Sequence, residues 1–259
     1  MVARAMTPQD GCAWVTGASS GIGWALALRL ADAGWQVAVS ARRAEALEEL
    51  AAEPGAQGRI HAFPLDVTDR PATVETLDAI EARVAPVALA VLNAGTHQPM
   101  KASDFDAEVM RRLMELNCLS MAEGLAALLP RFREKGRGQV ALVSSVAGYR
   151  GLPTASAYSA SKAAVIAMTE ALRPELHDEG ILLQVVNPGF VRTPLTDKNR
   201  FTMPMLMEVE DAAAALHRGL GSTRFEIIFP RLFCWLMKVY RALPYALALR
   251  LAKRMAPSE

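Results

Sequence analysis

The chain has 259 residues, a formal net charge of +1 at pH 7 and a hydrophobic content of 52%. This length and apolar content suit one α/β domain with a large core, and the small charge speaks against a nucleic-acid partner. The cysteines Cys12, Cys118 and Cys234 form neither a disulfide framework nor a metal-ligand pattern. We therefore expect no metal and a reducing cytoplasm. We find no signal-type apolar stretch and no run of about 18 apolar residues that predicts a membrane-spanning helix.

Strands and helices are predicted to alternate from the start of the chain. A strand at "CAWVTG" leads into a helix at "GIGWALALRLADAG", which Gly34 closes. The strand "WQVAVSA" and the helix "AEALEELAAE" follow, then the strand "RIHAFPLDV", the helix "ATVETLDAIEARV" and the strand "VALAVLNAG". A helical region from about Asp104 to Arg133 precedes the strand "GQVALVSS", and a helix from about Ala155 to Glu179 precedes the strand "ILLQVVNPG". Because several strands are apolar on both faces, we predict an α/β fold, a doubly wound parallel sheet of Rossmann type in a single domain.

The glycine-rich segment "TGASSGIG" lies where the first strand turns into the first helix. Its glycines, Gly17, Gly21 and Gly23, depart from the common G-x-G-x-x-G spacing. Their physical role is the same, because glycines permit a tight turn and let backbone N–H groups approach a pyrophosphate. The helix N-terminus adds a favourable potential, and Ser19 and Ser20 add hydroxyl donors. A dinucleotide site is therefore expected at this turn.

Further motifs follow in a fixed order. They are "LDV" at Leu65–Val67, "NAG" at Asn93–Gly95, Asn117, "SS" at Ser144–Ser145, "YSASK" at Tyr158–Lys162 and "NPGFVRT" at Asn187–Thr193. Each is weak alone, but together with "TGASSGIG" they are specific. From about Cys12 to Thr193 the sequence resembles the short-chain dehydrogenase/reductase family. The resemblance implies an oxidoreductase that interconverts a carbonyl and a secondary alcohol by hydride transfer with a nicotinamide cofactor.

Four residues are candidates for the catalytic chemistry. Tyr158 and Lys162 lie four residues apart, on one face of a predicted helix. A free tyrosine has a pKa of about 10, and a neighbouring ammonium is expected to lower that pKa toward the range of a useful acid–base group. The resemblance implies that Tyr158 exchanges the proton and that Ser145 hydrogen-bonds the substrate oxygen. It further implies that Lys162 holds the nicotinamide ribose and that Asn117 supports a water-linked proton path.

The resemblance also implies which residues contact the cofactor. Asp66 is expected at the adenine, the "NAG" backbone beside the cofactor, and the "NPGFVRT" segment at the nicotinamide. A small departure is Leu92, where the family often has asparagine. The complete set of expected cofactor contacts is Gly17, Ser19, Ser20, Gly21, Ile22, Gly23, Arg42, Asp66, Val67, Asn93, Ala94, Gly95, Tyr158, Lys162, Pro188, Gly189, Val191 and Thr193.

The segment after the second strand bears on the choice of cofactor. NAD-preferring Rossmann sites usually place an acid there for the ribose 2′-hydroxyl. Ala41 stands at this position, and Arg42 and Arg43 follow. Arginine suits a 2′-phosphate by charge and by its fork of donors, so NADP(H) is expected, with NAD(H) as the alternative. Ser20 argues the other way, because NADP-preferring relatives often have a basic residue at that place in the turn.

The segment after Thr193, "PLTDKNRFTMPMLMEVEDAA", corresponds to the family's substrate loop. Met203, Met205, Leu206 and Met207 form an apolar stretch that either adapts to a bulky apolar substrate or packs into the core. We expect a hydrophobic carbonyl or alcohol as substrate, with lipid-like molecules among the candidates. We also expect a homodimer or a homotetramer.

Two other functions remain open from the sequence. One is an NAD(H)-dependent alcohol dehydrogenase of the same family. The other is a non-catalytic, dinucleotide-binding protein of the membrane surface, although such relatives tend to lose the tyrosine or the lysine that this chain keeps. Among the four histidines, His97 is the one expected to face substrate, because it follows "NAG" directly.

The C-terminal tail has its own pattern. After a final strand at "FEIIF", two helical stretches flank Pro244, and each has an apolar face opposite a basic face. The apolar residues are Leu232, Trp235, Leu236, Val239, Ala248, Leu251 and Met255, and the basic residues are Arg231, Lys238, Arg241, Arg250, Lys253 and Arg254. Phe225 to Glu259 carry a net charge of +4. We expect residues 1–230 to form the dinucleotide-binding and catalytic part and 231–259 a helical extension of the same domain. Residues 231–255 would either contact the inner face of a membrane peripherally or pack on protein.

Overall fold

A computed structural model describes residues 3–198 and 203–255 of the chain. Its strands are β1 (Cys12–Thr16), β2 (Val37–Ser40), β3 (Ile60–Ala62), β4 (Val87–Leu92), β5 (Gly138–Val143), β6 (Ile181–Pro188) and β7 (Glu226–Phe229). Its α-helices are α1 (Gly21–Asp32), α2 (Ala44–Ala52), α3 (Arg70–Arg83), α4 (Ala107–Met114), α5 (Ser120–Lys135), α6 (Ser156–Asp178), α7 (Val209–Leu220), α8 (Arg231–Ala242) and α9 (Tyr245–Met255).

The described strands form one parallel sheet in the order β3-β2-β1-β4-β5-β6-β7. The strand order reverses between β1 and β4, because the chain winds outward from β1 in both directions. Ligands of open α/β sheets bind in the crevice outside the carboxyl ends of the strands at such a point. The predicted doubly wound, Rossmann-type, single-domain fold is therefore confirmed, and the crevice locates the site.

Two apolar layers cover the two faces of the sheet. Successive side chains of a strand point to opposite faces, so Ala13 and Val15 of β1 join one buried cluster while Cys12 and Trp14 join the other. Strand β1 is buried along its whole length, as β4, β5 and β6 are. The strands are apolar on both faces for this reason, and the sheet holds the site on a rigid base.

Two predicted elements differ from the structure. The strand predicted at "RIHAFPLDV" ends at Ala62, two residues before Pro64; β3 is an edge strand of the sheet, where proline is tolerated. The backbone N–H groups of Phe63 and Leu65 still donate to Val39 and Ala41, so the segment stays beside β2. The helical region predicted from Asp104 to Arg133 is interrupted by a π-helical turn at Glu115–Leu119, a feature common at functional sites.

The tail packs on the end of the sheet. Phe233, Cys234 and Met237 of α8 contact a buried cluster that includes Val146 and Tyr149. Among the residues that the structure describes, no helix has the length and apolarity needed to cross a membrane.

Candidate active site

The glycine turn after β1 is shaped by positive backbone φ angles. Gly17 has φ +68° and Gly21 has φ +59°, both in the left-handed region that favours glycine. A Cβ on Gly17 would lie 2.8 Å from the Cα of Ala94. The turn after β1 and the "NAG" turn after β4 therefore touch through backbone. This close approach requires glycine and leaves the crevice above it free.

A cavity of about 280 Å³ lies in this crevice. Its lining includes most of the residues predicted to contact the cofactor: Gly17, Ser19, Ser20, Gly21, Ile22, Arg42, Asp66, Val67, Asn93, Ala94, Gly95 and Thr193. The backbone of the glycine turn and the N-terminus of α1 form a site that can bind the phosphates of a dinucleotide. The two arginines at one end of the cavity add positive charge for a phosphate. A Cβ on Gly17 would clash with the backbone of Ala94, so glycine allows the two turns to form this cradle, and the residues that line it fit a dinucleotide.

Two predicted cofactor residues support the turn from behind. The side-chain amide of Asn93 donates to the carbonyl oxygens of Thr16 at 3.1 Å and Gly17 at 3.3 Å. Gly23 is buried and lines neither cavity of the crevice; a Cβ there would lie 2.5 Å from the oxygen of Gly17. Gly23 thus allows α1 to pack against the turn, whereas Asn93 both lines the cavity and holds the turn in place.

The two arginines after β2, Arg42 and Arg43, make different contacts. Arg42 lines the cavity. Burial raises the pKa of Asp66, but several opposing contributions, of which the charge of Arg42 is the smallest, hold this pKa below its ordinary value. The hydrogen bonds from the backbone N–H and the hydroxyl of Thr68 to Asp66 act in the same direction. Arg43 also lines the cavity, and its guanidinium donates to the backbone oxygen of Ser19 at 2.9 Å and to its hydroxyl at 3.2 Å.

A second cavity, of about 180 Å³, adjoins the first. The two cavities share lining residues, among them Ile22, Asn93, Gly95 and Thr193, so they form one continuous crevice. The second cavity contains the predicted nicotinamide residues Pro188, Gly189 and Val191 together with Ser145, Tyr158 and Lys162. The predicted catalytic residues therefore lie together at the end of the crevice that is opposite the arginines.

Tyr158 and Lys162 are neighbours, as their spacing on α6 predicts. The ammonium nitrogen of Lys162 lies 5.9 Å from the centre of the Tyr158 ring and donates to the carbonyl of Val143 at 2.8 Å. Burial lowers the pKa of Lys162 from 10.5 to about 8. The lysine is thus held by the end of β5 as well as by its place beside the tyrosine.

The pKa of Tyr158 differs from the expectation. Burial raises this pKa above its ordinary value of 10, and the hydrogen bond with Ser145 opposes the rise without cancelling it. The predicted lowering by Lys162 is therefore wrong for this structure, because burial disfavours the phenolate and the ammonium is directed at the Val143 carbonyl. At neutral pH the tyrosine is protonated, which is the form that donates a proton.

Asn117 lies in the π-helical turn and is buried. Its amide nitrogen donates to the Thr96 oxygen at 2.9 Å and to the Ser161 hydroxyl at 3.0 Å, and its oxygen accepts from the Thr96 N–H at 2.8 Å. A Cβ on Gly95 would lie 3.1 Å from the Asn117 oxygen and 3.3 Å from the Lys162 nitrogen. Asn117 is therefore beside the lysine, and its contacts join the "NAG" segment to α6.

The substrate end of the second cavity is mostly apolar. It is lined by side chains that the sequence analysis left out, among them Val146, Leu152, Pro153, Phe190, Leu195 and Phe233. Position is the one signal that could have found Leu152 and Pro153, since they lie between Ser145 and Tyr158 in the chain. Phe233 comes from the tail, where the sequence pattern drew attention to the opposite face of the helix. His97 lines the cavity as predicted, with its ring centre 4.7 Å from that of Tyr158.

The apolar stretch of the predicted substrate loop lies elsewhere. In the described part of the chain, none of Met203, Met205, Leu206 and Met207 lines either cavity. Met207 packs against the buried core and exchanges backbone hydrogen bonds with Phe190 and Arg192, which fits the core-packing alternative. Residues 199–202 of the same loop lie outside the described residues.

Comparisons with known proteins agree with this geometry. The family model described as short chain dehydrogenase matches residues 11–203. An uncharacterized oxidoreductase of Myxococcus xanthus is 38% identical over 244 residues, which cover 94% of this chain and 96% of the relative. A short chain dehydrogenase from Burkholderia cenocepacia, solved in complex with NADP, has a TM-score of 0.81 at 26% identity and covers 95% of this chain and 99% of its own. A short-chain dehydrogenase from Sphingobium yanoikuyae, solved in complex with NADPH, has a TM-score of 0.76 at 28% identity, with coverages of 91% and 97%.

The fold, the glycine turn and the match over most of the chain define an oxidoreductase of the NAD(P)-dependent dehydrogenase and reductase class. The chain belongs to the short-chain dehydrogenase/reductase family, as its motifs predict.

Proposed function

We propose that the protein is an NADP(H)-dependent oxidoreductase that interconverts a carbonyl and a secondary alcohol on a hydrophobic substrate. The observation that carries the proposal is the continuous crevice. One end has a glycine cradle with Arg42 and Arg43, and the other is an apolar cavity with Ser145, Tyr158 and Lys162. A polar, cationic site for a phosphorylated dinucleotide thus opens into an apolar site that contains a proton donor.

The arginines support the preference for NADP(H). Both line the cavity at the carboxyl end of β2, and no acid competes for this place, because Ala41 occupies it. A guanidinium binds a phosphate through charge-assisted hydrogen bonds. The two NADP(H)-bound structures of similar proteins agree with this preference. The alternative is NAD(H) with the same catalytic residues.

The side chains can perform the proton chemistry of carbonyl reduction. The nicotinamide cofactor, when bound, supplies the hydride. Tyr158 is protonated at neutral pH because burial raises its pKa, so it can donate its proton to the oxygen on which negative charge develops. Ser145 lies in the same cavity, and its hydroxyl can donate a hydrogen bond to that oxygen. Lys162, with a pKa of about 8, is mostly charged at neutral pH and stabilises this developing charge.

The substrate class follows from the cavity wall. Val146, Leu152, Phe190 and Phe233 present apolar surface to the place where the substrate would lie. Burying an apolar group there contributes roughly 25 cal/mol per Å², whereas a charged group would lose its hydration without a partner. We therefore propose bulky hydrophobic carbonyls, including lipid-like ones, as substrates.

A substrate panel tests this proposal. Aliphatic, aromatic and long-chain aldehydes and ketones would be assayed with NADPH and with NADH, and the matching alcohols with both oxidised cofactors. We expect turnover of hydrophobic carbonyls, with kcat/KM rising with apolar size and higher for NADPH than for NADH. Turnover limited to small charged carbonyls, or a clear preference for NADH, would overturn the proposed substrate or cofactor.

The cellular setting is also part of the proposal. Cys12, Cys118 and Cys234 are free and buried in the structure, which suits a reducing cytoplasm. A homodimer or homotetramer is proposed as the assembly. Peripheral contact of residues 231–255 with the inner face of a membrane is proposed as well, because apolar and basic side chains are exposed together on this tail.

A further inference from the structure

The tail exposes apolar surface to an unusual extent. Nine of the thirteen large apolar side chains exposed in the described part of the chain lie within residues 231–255. Scattered exposed apolar residues are ordinary, but a contiguous patch marks an interaction surface. We call six of these side chains, each exposed by half or more, the terminal apolar surface: Leu232, Trp235, Leu236, Val239, Leu247 and Leu249.

The exposed stripe of α8 is additional to the face that packs on the protein. Phe233, Cys234 and Met237 form the packed face. Leu232, Trp235, Leu236 and Val239 recur at spacings of three and four and lie on the opposite side. Helix α9 has a single buried residue, Ala248. Both helices therefore expose apolar side chains that are not packed against the rest of the protein.

Helix α8 is held firmly at the edge of the site. Lys238 is ion-paired with Glu226 of β7 and stacks on Trp235 at 4.9 Å. Arg150 donates to the carbonyl oxygens of Tyr240, Arg241 and Leu243 at the end of α8, at 2.8–3.0 Å. Phe233 lines the substrate cavity from the inner face of the same helix. The part of the terminal apolar surface that α8 contributes is thus presented on a fixed support, on the opposite side of the helix from the cavity.

The charge of the tail identifies the partner. Residues 231–255 carry six basic residues and no acidic residue. Lys238 is paired with Glu226, and the other five are exposed: Arg231, Arg241, Arg250, Lys253 and Arg254. No ion pair involves any of the five among the described residues. An apolar surface bordered by unpaired cations complements a bilayer of anionic lipids.

A second copy of this chain fits the same surface less well. A two-fold interface brings the same patch of both copies together, so the five cations of one copy would face the five of the other. Like charges placed opposite each other weaken association. Anionic headgroups neutralise the same cations while the acyl region accepts the apolar side chains.

We propose that α8 and α9 dock the protein on an anionic lipid surface, with the terminal apolar surface inserted at the headgroup boundary and the five cations on lipid phosphates. Docking itself needs neither cofactor nor substrate. Delivery of a hydrophobic substrate from the bilayer to the neighbouring cavity rests on the proposed function. Failure of docking and failure of the proposed reaction are therefore separate outcomes.

Co-sedimentation of the full chain with vesicles tests the docking. Vesicles of phosphatidylcholine alone would be compared with vesicles containing phosphatidylglycerol, at low and at high salt. We expect binding to the anionic vesicles at low salt and loss of most of it at high salt, because salt screens surface charges. If the intact protein stays in the supernatant with anionic vesicles at low salt, the proposal is overturned.

Matched variants separate the contribution of the basic residues to lipid binding from that of the apolar residues. Changing Arg250→Glu together with Arg254→Glu should weaken binding roughly tenfold or more, whereas Arg112→Glu, an exposed arginine of α4, should leave it within about twofold. Changing Leu232→Ser together with Leu236→Ser should also release the protein, whereas Phe105→Ser, an exposed apolar residue elsewhere, should not. Equal effects of tail and control variants would contradict the assignment of the surface.

Tryptophan fluorescence shows whether the terminal apolar surface faces the lipid, and whether a second copy of the chain covers it instead. Trp235 is 56% exposed, while Trp14 and Trp35 are buried. Anionic vesicles should shift the emission to the blue, and Trp235→Phe should remove the shift while vesicles still bind. A concentration-dependent blue shift without lipid, accompanied by association in sedimentation velocity and lost with Leu232→Ser, would show that a second copy covers the surface and would overturn the lipid proposal.

Discussion

The ammonium of Lys162 lies 5.9 Å from the ring centre of Tyr158 and donates to the backbone oxygen of Val143. This arrangement couples the ends of β5 and α6 at the place where the proposed proton transfer occurs. Burial opposes the charged form of both side chains, since it raises the pKa of Tyr158 and lowers that of Lys162 to about 8. The pair is thus held as a protonated phenol beside an ammonium that loses its charge in mildly alkaline solution.

The buried lysine has a measurable effect on stability. The pKa of Lys162 is about 8 in the folded protein and 10.5 as its ordinary value, so the unfolded chain binds more protons between these pH values. Stability therefore rises with pH through this window; the gain is absent below pH 8 and complete above 10.5. Each pKa unit corresponds to about 1.4 kcal/mol, so the gain is on the order of 3 kcal/mol.

Comparison with Lys162→Met isolates this contribution. The difference in unfolding free energy, wild type minus variant, should increase by that amount between pH 7.5 and 10.5, measured by urea denaturation. Other titrating groups are common to both proteins and largely cancel in the difference. A difference that stays constant with pH would show that Lys162 has an ordinary pKa in the folded protein.

The sequence predicted the sheet well, because buried parallel strands consist of short apolar segments such as "VALAVL" and "GQVALV". It could not predict the π-helical turn around Asn117, since a single widened turn leaves the helical spacing of apolar residues almost unchanged. The strand predicted at "RIHAFPLDV" is longer than β3, which ends at Ala62 although Phe63 and Leu65 still donate to β2. In each case the local pattern predicted the correct type of element, but it did not contain the information that sets the backbone hydrogen bonds within that element.

For the candidate site, sequence spacing predicted which residues meet but not their electrostatic state. Tyr158 and Lys162 are neighbours because four residues separate them on a helix. Their burial and the hydrogen bond of Lys162 to Val143, 19 residues away, depend on tertiary packing. The same applies to Phe233, which reaches the cavity from the tail. Residues brought in by distant elements leave no local signal in a single sequence.

The two arginines after β2 should have separable effects. Arg42→Ala should weaken NADPH binding about tenfold or more relative to NADH, because a charge-assisted hydrogen bond contributes roughly 1.5–3 kcal/mol. Arg43→Ala should weaken both cofactors to a similar extent, because Arg43 holds Ser19 of the glycine turn. Fluorescence titration of each reduced cofactor measures these affinities, with Arg112→Ala as the control. Equal losses of NADPH and NADH in Arg42→Ala would exclude a 2′-phosphate contact.

Gly23 should be intolerant of any side chain. A Cβ at this position would lie 2.5 Å from the oxygen of Gly17 and 2.8 Å from the amide nitrogen of Asn93. Gly23→Ala should therefore destabilise the protein by about 1–3 kcal/mol, as overpacking does, and lower cofactor affinity by displacing the turn. Gly151→Ala is the control, because a Cβ there meets no atom within 4 Å; its change in unfolding free energy should stay within about 0.5 kcal/mol. Equal stability of the two variants would contradict the packing at the turn.

The central claim is that Tyr158 delivers the proton in an NADPH-dependent carbonyl reduction. The most direct measurement compares wild type with Tyr158→Phe in kcat for the best carbonyl of the panel and in Kd for NADPH. The phenyl ring keeps the packing against His97 and loses only the hydroxyl. We expect kcat to fall by at least about 100-fold, as for loss of a general acid, with the Kd for NADPH within about threefold of wild type. Turnover near the wild-type rate, with NADPH binding intact, would contradict the account.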